Sequence, residues 1–159
     1  MPLDAWFDEL GGLTPIEGNL HRSPLPYKEQ HFRALRDAGI RVIYSMEEAI
    51  PAQRASTFDW RPHFWTDDAP PSPAQMDAFL ADYLALPDDV SALVHCKAGW
   101  GRTGSAIACA LVAKRGWSAE RALSFYWSKV PPARDVMTWN GQAEFVRGYA
   151  ASLKGRGLR

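Results

Sequence analysis

One ten-residue segment carries the side chains that phosphate-ester chemistry needs. This segment, the anion loop (residues 95–104), reads HCKAGWGRTG. Cys96 supplies a thiol that is a nucleophile when ionised, and Arg102 supplies a planar guanidinium that can hold two oxygens of a phosphate group. The glycines between them allow the backbone to curl so that successive N–H groups point at an anion. We therefore predict that the substrate is bound by Lys97, Ala98, Gly99, Trp100, Gly101 and Arg102.

The elements on either side of the anion loop favour the same chemistry. Residues 91–95 have the apolar pattern of a strand, and residues 103–115 have that of a helix. The free N–H groups and the positive dipole end of that helix would face a bound anion and would also stabilise a Cys96 thiolate. We expect Thr103 to donate its hydroxyl to the sulfur when sulfur is the leaving group. We expect His95 to order the loop through hydrogen bonds rather than to accept the proton.

The remaining chain alternates between strand and helix patterns. Strands are predicted near residues 18–22, 41–44, 57–65 and 91–95, and helices over residues 29–38, 47–54, 72–86, 103–115, 118–129 and 138–153. Pro62 indicates that its strand lies at a sheet edge or is broken. The order predicts an α/β fold of three layers, with a central, mostly parallel sheet flanked by helices. Ligands of such sheets bind at the carboxyl ends of the strands, where the anion loop begins.

Composition limits the other classes of function. The chain has 159 residues, with 18 basic and 18 acidic side chains, so no overall charge attracts nucleic acid or a membrane. Two cysteines and isolated histidines predict neither a disulfide scaffold nor a metal site, and we expect no cofactor. No signal-peptide pattern and no apolar run of about 20 residues is present. We expect a cytoplasmic monomer with one domain over residues 1–153 and a flexible basic tail over residues 154–159.

The anion loop resembles the HCx5R[ST] signature of the protein tyrosine phosphatase superfamily. Chain length and loop sequence are similar to the small, atypical dual-specificity subgroup. Residues 18–26 resemble the entry strand of small members, and residues 67–73, here called the acid loop, resemble the loop that carries their general acid. The resemblance covers roughly residues 15–150. It implies a metal-free, two-step hydrolysis through a Cys96 thiophosphate.

The resemblance implies a phosphorylated protein or a small phosphate ester as the substrate. Phosphotyrosine in proteins is expected first, with phosphoserine and phosphothreonine as further targets. A phosphatase for phosphoinositides, inositol phosphates or RNA 5′-phosphates is the alternative, and a catalytically inactive phosphate-binding module is the alternative of another class. Lys97 occurs in both protein-directed and lipid-directed relatives. Trp100 stands where lipid-directed relatives often carry a second basic residue, which favours protein substrates.

Two neighbouring carboxylates, Asp67 and Asp68, are candidates for the general acid. The family pattern of Asp, two residues and then Pro selects Asp67, with Pro70 as the proline. Asp68 as the acid, or a solvated turn without chemistry, stays open. Gln142 lies where related enzymes often carry a residue that positions water, and an ordinary helix-surface glutamine is the alternative.

Three further side chains have two interpretations each. Trp100 either stacks on an aryl phosphate or packs beneath the loop. Arg134, in a loop predicted over residues 130–135, either lines the pocket or is solvated. Cys109 is either a buried structural cysteine or a redox partner that captures oxidised Cys96.

Overall fold

The computed structural model describes residues 7–47 and 57–156. The chain divides into two compact units. The sheet unit is built from Met1–Phe64 and Asp88–Gly99, and the helical unit from Trp65–Pro87 and Trp100–Arg159. No helix in the described ranges is both long enough and apolar enough to cross a membrane.

The sheet unit contains a five-stranded mixed sheet in the order β1-β2-β5-β3-β4. β1 pairs antiparallel with β2, and the other three neighbouring pairs are parallel. The predicted, mostly parallel sheet is therefore confirmed, with β5 at its centre and the proline-containing β4 at its edge. The strands are β1 (Thr14–Glu17), β2 (Leu20–Ser23), β3 (Ile40–Ser45), β4 (Asp59–Pro62) and β5 (Ser91–His95), and helix α1 (Glu29–Asp37) connects β2 to β3.

Apolar packing explains the position of β5. Ala92, Leu93 and Val94 are completely buried, as expected for a central parallel strand that is covered on both faces. Leu93 belongs to a core cluster with the apolar face of α1, where Phe32 and Leu35 follow helical spacing. This core fixes the carboxyl end of β5, from which the anion loop begins.

The helical unit is organised around one buried helix, α3. Every residue of α3 from Arg102 to Val112 is buried, and the helix contacts the other four helices of the unit. A Cβ atom on Gly104 would lie 2.5 Å from the sulfur of Met137, so glycine is needed for this close packing. The helices are α2 (Pro73–Ala85), α3 (Gly101–Arg115), α4 (Ala119–Lys129), α5 (Ala133–Trp139) and α6 (Gln142–Gly155).

The bounds of several predicted elements differ from the structure. The single strand expected near residues 18–22 is the second strand of the β1–β2 hairpin. Helix α3 begins at Gly101, two residues before the predicted start, so that Arg102 lies in its first turn. The helix predicted over residues 138–153 is confirmed from Gln142 onward, but its predicted start is wrong. Helix α5 ends at Trp139, and α6 starts after Gly141, whose φ of +77° interrupts the helix.

The loop predicted over residues 130–135 is also wrong in part, because α5 begins at Ala133, directly after two prolines. Proline is tolerated at a helix start, where its missing N–H has no partner to lose. Helix α6 continues through Gly155, two residues into the segment predicted as a tail. The helix predicted over residues 47–54 lies almost entirely outside the described residues.

Candidate active site

Cys96 follows the last residue of β5 directly and is 3% exposed. The adjacent His95 is completely buried, and its Nδ1 lies 3.0 Å from the carbonyl oxygen of Cys96. Because a carbonyl can only accept, Nδ1 must carry the proton of this hydrogen bond. The carbonyl of His95 accepts the N–H of Met46 at 2.9 Å. His95 therefore holds the backbone on both sides of the nucleophile candidate, which fits the expected ordering role.

The carbonyls of the anion loop after Cys96 are held by residues in and just after β2. The N–H of Leu25 donates to the carbonyl of Lys97 at 2.9 Å. Nη2 of Arg22 donates to the carbonyls of Ala98 and Gly99 at 3.0 and 3.1 Å. Sequence reasoning missed Arg22. Its signal is a charged residue that shares the face of β2 with buried Leu20, two positions before it.

Gly99 is required by two independent features. Its φ is +78°, in the left-handed region that L-residues with a side chain rarely adopt. A Cβ atom at this position would overlap Nη2 of Arg22 and would lie 2.7 Å from the carbonyl oxygen of Ser23. The tight turn of the loop therefore depends on glycine here.

In the helical unit, Arg102 contacts Trp65, two residues before the acid loop, and Asp67, the first residue of that loop. The guanidinium is 2% exposed; its Nη1 donates to the carbonyl of Trp65 at 3.1 Å, and its Nη2 lies 3.2 Å from Oδ1 of Asp67. No side chain caps the first turn of α3, to which Arg102 belongs. The N–H groups of this turn and the guanidinium are the donors that an anion at the start of α3 would meet.

The two candidate carboxylates differ in their placement. Asp67 forms the ion pair with Arg102, and its carboxylate is 57% exposed. Asp68 is exposed, adopts a φ of +55°, and donates its backbone N–H to Oδ1 of Asp67 at 2.9 Å. The structure thus brings Asp67 to the loop arginine, while Asp68 helps to orient it.

Gln142 is 1% exposed, so it is not the helix-surface glutamine of the alternative interpretation. Its Nε2 donates to the carbonyl of Ala69 in the acid loop at 3.2 Å. A Cβ atom on Gly101 would lie 2.5 Å from Oε1 of Gln142. Gln142 therefore connects the acid loop with the first residue of α3, and Gly101 makes room for it.

The remaining residues of the predicted site differ in exposure. Thr103 is completely buried, and its hydroxyl has no hydrogen-bond partner among the described residues, so its donation to sulfur stays a prediction. Lys97 is exposed and Trp100 is half-buried. The buried indole Nε1 of Trp100, which has no partner in the described ranges, favours packing beneath the loop.

Arg134 is exposed, whereas Cys109 is buried. Arg134 is an exposed residue of α5, and its guanidinium lies 5.8 Å from the ring centre of Trp127. Cys109 lies in the buried face of α3, and burial raises the pKa of its thiol. Within residues 7–47 and 57–156, no group of three or more His, Cys, Asp or Glu residues is arranged to hold a metal ion.

Solved structures show the same fold. A mutant form of Tk-PTP aligns with 91% of this chain and 98% of its own, at 20% identity and a TM-score of 0.79. PTPMT1 in complex with PI(5)P aligns with 91% and 98%, at 17% identity and a TM-score of 0.72. TpbA of P. aeruginosa in complex with pTyr aligns with 87% and 90%, at 21% identity and a TM-score of 0.66. The shared architecture is a three-layer α/β fold with a central mixed sheet flanked by helices.

A family model extends this likeness to the sequence. The model of the Swiss Army Knife protein, DSP-PTPase phosphatase domain, matches residues 16–149. The matched range includes the complete anion loop, the acid loop and Gln142. The chain therefore belongs to the DSP-PTPase phosphatase domain family of cysteine-based phosphatases.

Proposed function

We propose that this phosphatase hydrolyses phosphotyrosine in proteins, and also phosphoserine and phosphothreonine, through a covalent thiophosphate on Cys96. The observation that carries the proposal is the ion pair between Arg102 and Asp67. It places a guanidinium of the anion loop beside a carboxylate that remains more than half exposed. Phosphate binding and proton transfer to a leaving group need these two groups at one place.

In the first step, the Cys96 thiolate attacks phosphorus and the bond from phosphorus to the ester oxygen breaks. Asp67, which takes up a proton from solvent when the phosphate displaces it from Arg102, donates this proton to the departing oxygen, which leaves as a hydroxyl. Arg102 and the loop N–H groups bind the three non-bridging oxygens and stabilise their charge in the transition state. The phosphate replaces Asp67 as the main partner of Arg102, and the carboxylate stays next to the leaving oxygen.

In the second step, water attacks the phosphorus of the thiophosphate. Asp67, now ionised, accepts a proton from this water, and the sulfur–phosphorus bond breaks. Orthophosphate and the Cys96 thiolate are the products. The contact of Gln142 with the acid loop carbonyl of Ala69 supports a role in placing Asp67 for both steps.

The charges of the loop support an ester with one phosphate group. Lys97 and Arg102 are its only basic residues. Inositol phosphates with several phosphate groups would need more cations around the site. Similar folds have been crystallised with both PI(5)P and pTyr, so the substrate class needs a direct comparison.

A substrate panel tests the proposal. Purified protein is assayed with an aryl phosphate, phosphotyrosine, phosphoserine and phosphothreonine peptides, phosphoinositide vesicles and 5′-phosphorylated RNA. We expect the highest kcat/KM on phosphotyrosine peptides, no turnover by Cys96→Ser, and unchanged turnover by the matched control Cys109→Ser. A higher kcat/KM on phosphoinositides or RNA would replace the protein substrate, and no turnover on any member would overturn the enzyme proposal.

A further inference from the structure

Among the residues that the structure describes, the largest completely buried side chain is that of an arginine, Arg22 of β2. Its guanidinium donates four hydrogen bonds, all to backbone carbonyls. Nη1 binds the carbonyls of Leu10 and Gly12 at 2.9 and 3.1 Å, and Nη2 binds those of Ala98 and Gly99 at 3.0 and 3.1 Å. Among the described residues, no carboxylate pairs with Arg22. A permanent positive charge is therefore buried against the anion loop, and the partners that stabilise it in the described ranges are carbonyl dipoles.

These bonds determine where the loop N–H groups point. In a trans peptide the C=O and the following N–H point in opposite directions, and the described peptide bonds include no cis bond. The carbonyl of Lys97 points at Leu25, and the carbonyls of Ala98 and Gly99 point at Arg22. In each of these three peptide units, the N–H of the following residue therefore points the opposite way. The N–H groups of Gly99 and Trp100 thus face away from Arg22, and the N–H of Ala98 faces away from Leu25. A phosphate-binding nest is built from successive N–H groups of this kind.

The positive charge of Arg22 also favours binding of an anion by the loop N–H groups. Each carbonyl that accepts from the guanidinium is polarised, which makes the N–H of the same peptide unit a stronger donor. An anion on the opposite side of these peptide units also offsets the cost of the buried cation, which lacks a carboxylate partner in the described ranges. The overlap of any Cβ on Gly99 with Nη2 shows that loop and guanidinium are fitted to each other.

Resting on the proposed function, we propose that Arg22 is a positioning residue for phosphate recognition. It fixes the orientation of the anion-loop amides from behind and raises the affinity of the loop for a phosphate anion, without touching the substrate. The role is distinct from that of Arg102, which binds the substrate oxygens from the first turn of α3.

The variants Arg22→Gln and Arg22→Lys test this role. Both proteins are examined for turnover and for the dissociation constant of orthophosphate, measured as protection of Cys96 against iodoacetate. We expect Arg22→Gln to weaken orthophosphate about tenfold or more, and to lower kcat/KM about 100-fold through misplaced amides. Arg22→Lys should lie between this variant and the wild type, because it retains the charge but loses the planar fork.

Asn19→Ala is the matched control. Asn19 is also buried, and its Nδ2 donates to the carbonyl of Val90 at 2.9 Å, at the end of β5 that is remote from the anion loop. Its loss should lower the melting temperature without changing the orthophosphate constant. Equal weakening of phosphate binding by Asn19→Ala and Arg22→Gln would reduce Arg22 to a purely structural residue and would overturn the proposal.

The readouts separate failure of this inference from failure of the proposed function. If the wild type turns over substrate and the dissociation constant of orthophosphate is unchanged in folded Arg22→Gln, only the role of Arg22 is overturned. If the wild type turns over no substrate but orthophosphate binds more weakly to Arg22→Gln than to the wild type, the proposed hydrolysis is overturned and the positioning role is supported. If circular dichroism shows both Arg22 variants unfolded, Gly99→Ala takes their place. It displaces the guanidinium but keeps its charge, and wild-type phosphate affinity in this variant would contradict the inference.

Discussion

Nη2 of Arg102 lies 3.2 Å from Oδ1 of Asp67, and the two side chains of this ion pair are unequally accessible. The guanidinium is 2% exposed and also binds the carbonyl of Trp65, whereas the carboxylate is 57% exposed. The arginine is thus the fixed member of the pair. The carboxylate can follow a leaving oxygen while it remains close to the phosphate, which is the geometry that a general acid needs.

Replacement of the two neighbouring carboxylates should have very different effects. Asp67→Asn should lower kcat for an alkyl or phenyl phosphate about 100- to 10,000-fold, because the leaving oxygen departs without a proton. Asp68→Asn should stay within a few-fold of the wild type, since the backbone N–H of Asp68, which binds Asp67, is retained. Steady-state kinetics on both variants measure the difference. A larger loss of kcat in Asp68→Asn would transfer the acid role to Asp68.

The contact between Gly101 and Gln142 predicts a compensating pair of substitutions. Gly101→Ala should lower the free energy of unfolding by about 1–3 kcal/mol, because its new Cβ overlaps the buried amide of Gln142. Gln142→Ala in the same chain should restore part of that loss. A double-mutant cycle from denaturant unfolding measures the coupling. Additive effects of the two substitutions would show that the contact is not strained by the methyl group.

The two cysteines should differ sharply in reactivity. Burial raises the pKa of the Cys109 thiol, so Cys109 stays protonated and inaccessible at neutral pH. We expect iodoacetamide to label Cys96 in the folded protein and orthophosphate to protect it, with Cys109 labelled only after denaturation. Peptide mass spectrometry locates the label. Rapid labelling of Cys109 in the native protein, or an oxidative disulfide with Cys96, would restore the redox interpretation.

A charged cluster between α2 and α6 gives a pH dependence of stability. The hydroxyl of Tyr149 donates to Asp77, and Nη2 of Arg156 lies 3.2 Å from the same carboxylate. The Tyr149 hydrogen bond, followed by Arg156, lowers the pKa of Asp77. Because the folded state favours the ionised form, this stabilisation is complete above the unfolded pKa of about 3.9 and is lost as the pH falls further.

Asp77→Asn provides the measurement for this cluster. The wild type should have the higher free energy of unfolding at pH 6, and the difference should shrink below about pH 4, as Asp77 becomes protonated. Denaturant unfolding at several pH values gives both curves. A difference that is independent of pH would show that the charge of Asp77 contributes nothing to stability.

Local patterns in the sequence were sufficient to predict most of the fold. The apolar run of β5 and the helical spacing of α1 and α2 report burial directly, and the structure confirms these elements. The break between α5 and α6 was missed because it depends on the left-handed conformation of Gly141, which apolar periodicity does not report. The start of α3 was placed two residues late because helix ends carry weak local signals in the sequence.

The candidate site was predictable where its residues share one loop. Cys96 and Arg102 are separated by five intervening residues, so their spacing is visible in the sequence. The contacts of Asp67 with Arg102 and of Gln142 with Ala69 join distant positions, and only the structure shows them. Arg22 was missed because its partners in the anion loop are backbone carbonyls more than 70 residues away, which leave no pattern of side chains.

Trapping of the covalent intermediate tests whether Cys96 is the nucleophile. Wild-type protein and Cys96→Ser are mixed with an aryl phosphate, quenched in acid within one turnover, and digested for peptide mass spectrometry. We expect one phosphate on Cys96 in the wild type, and neither phosphocysteine nor turnover in Cys96→Ser. Turnover by Cys96→Ser at the wild-type rate, or phosphate attached only to another residue, would contradict this expectation.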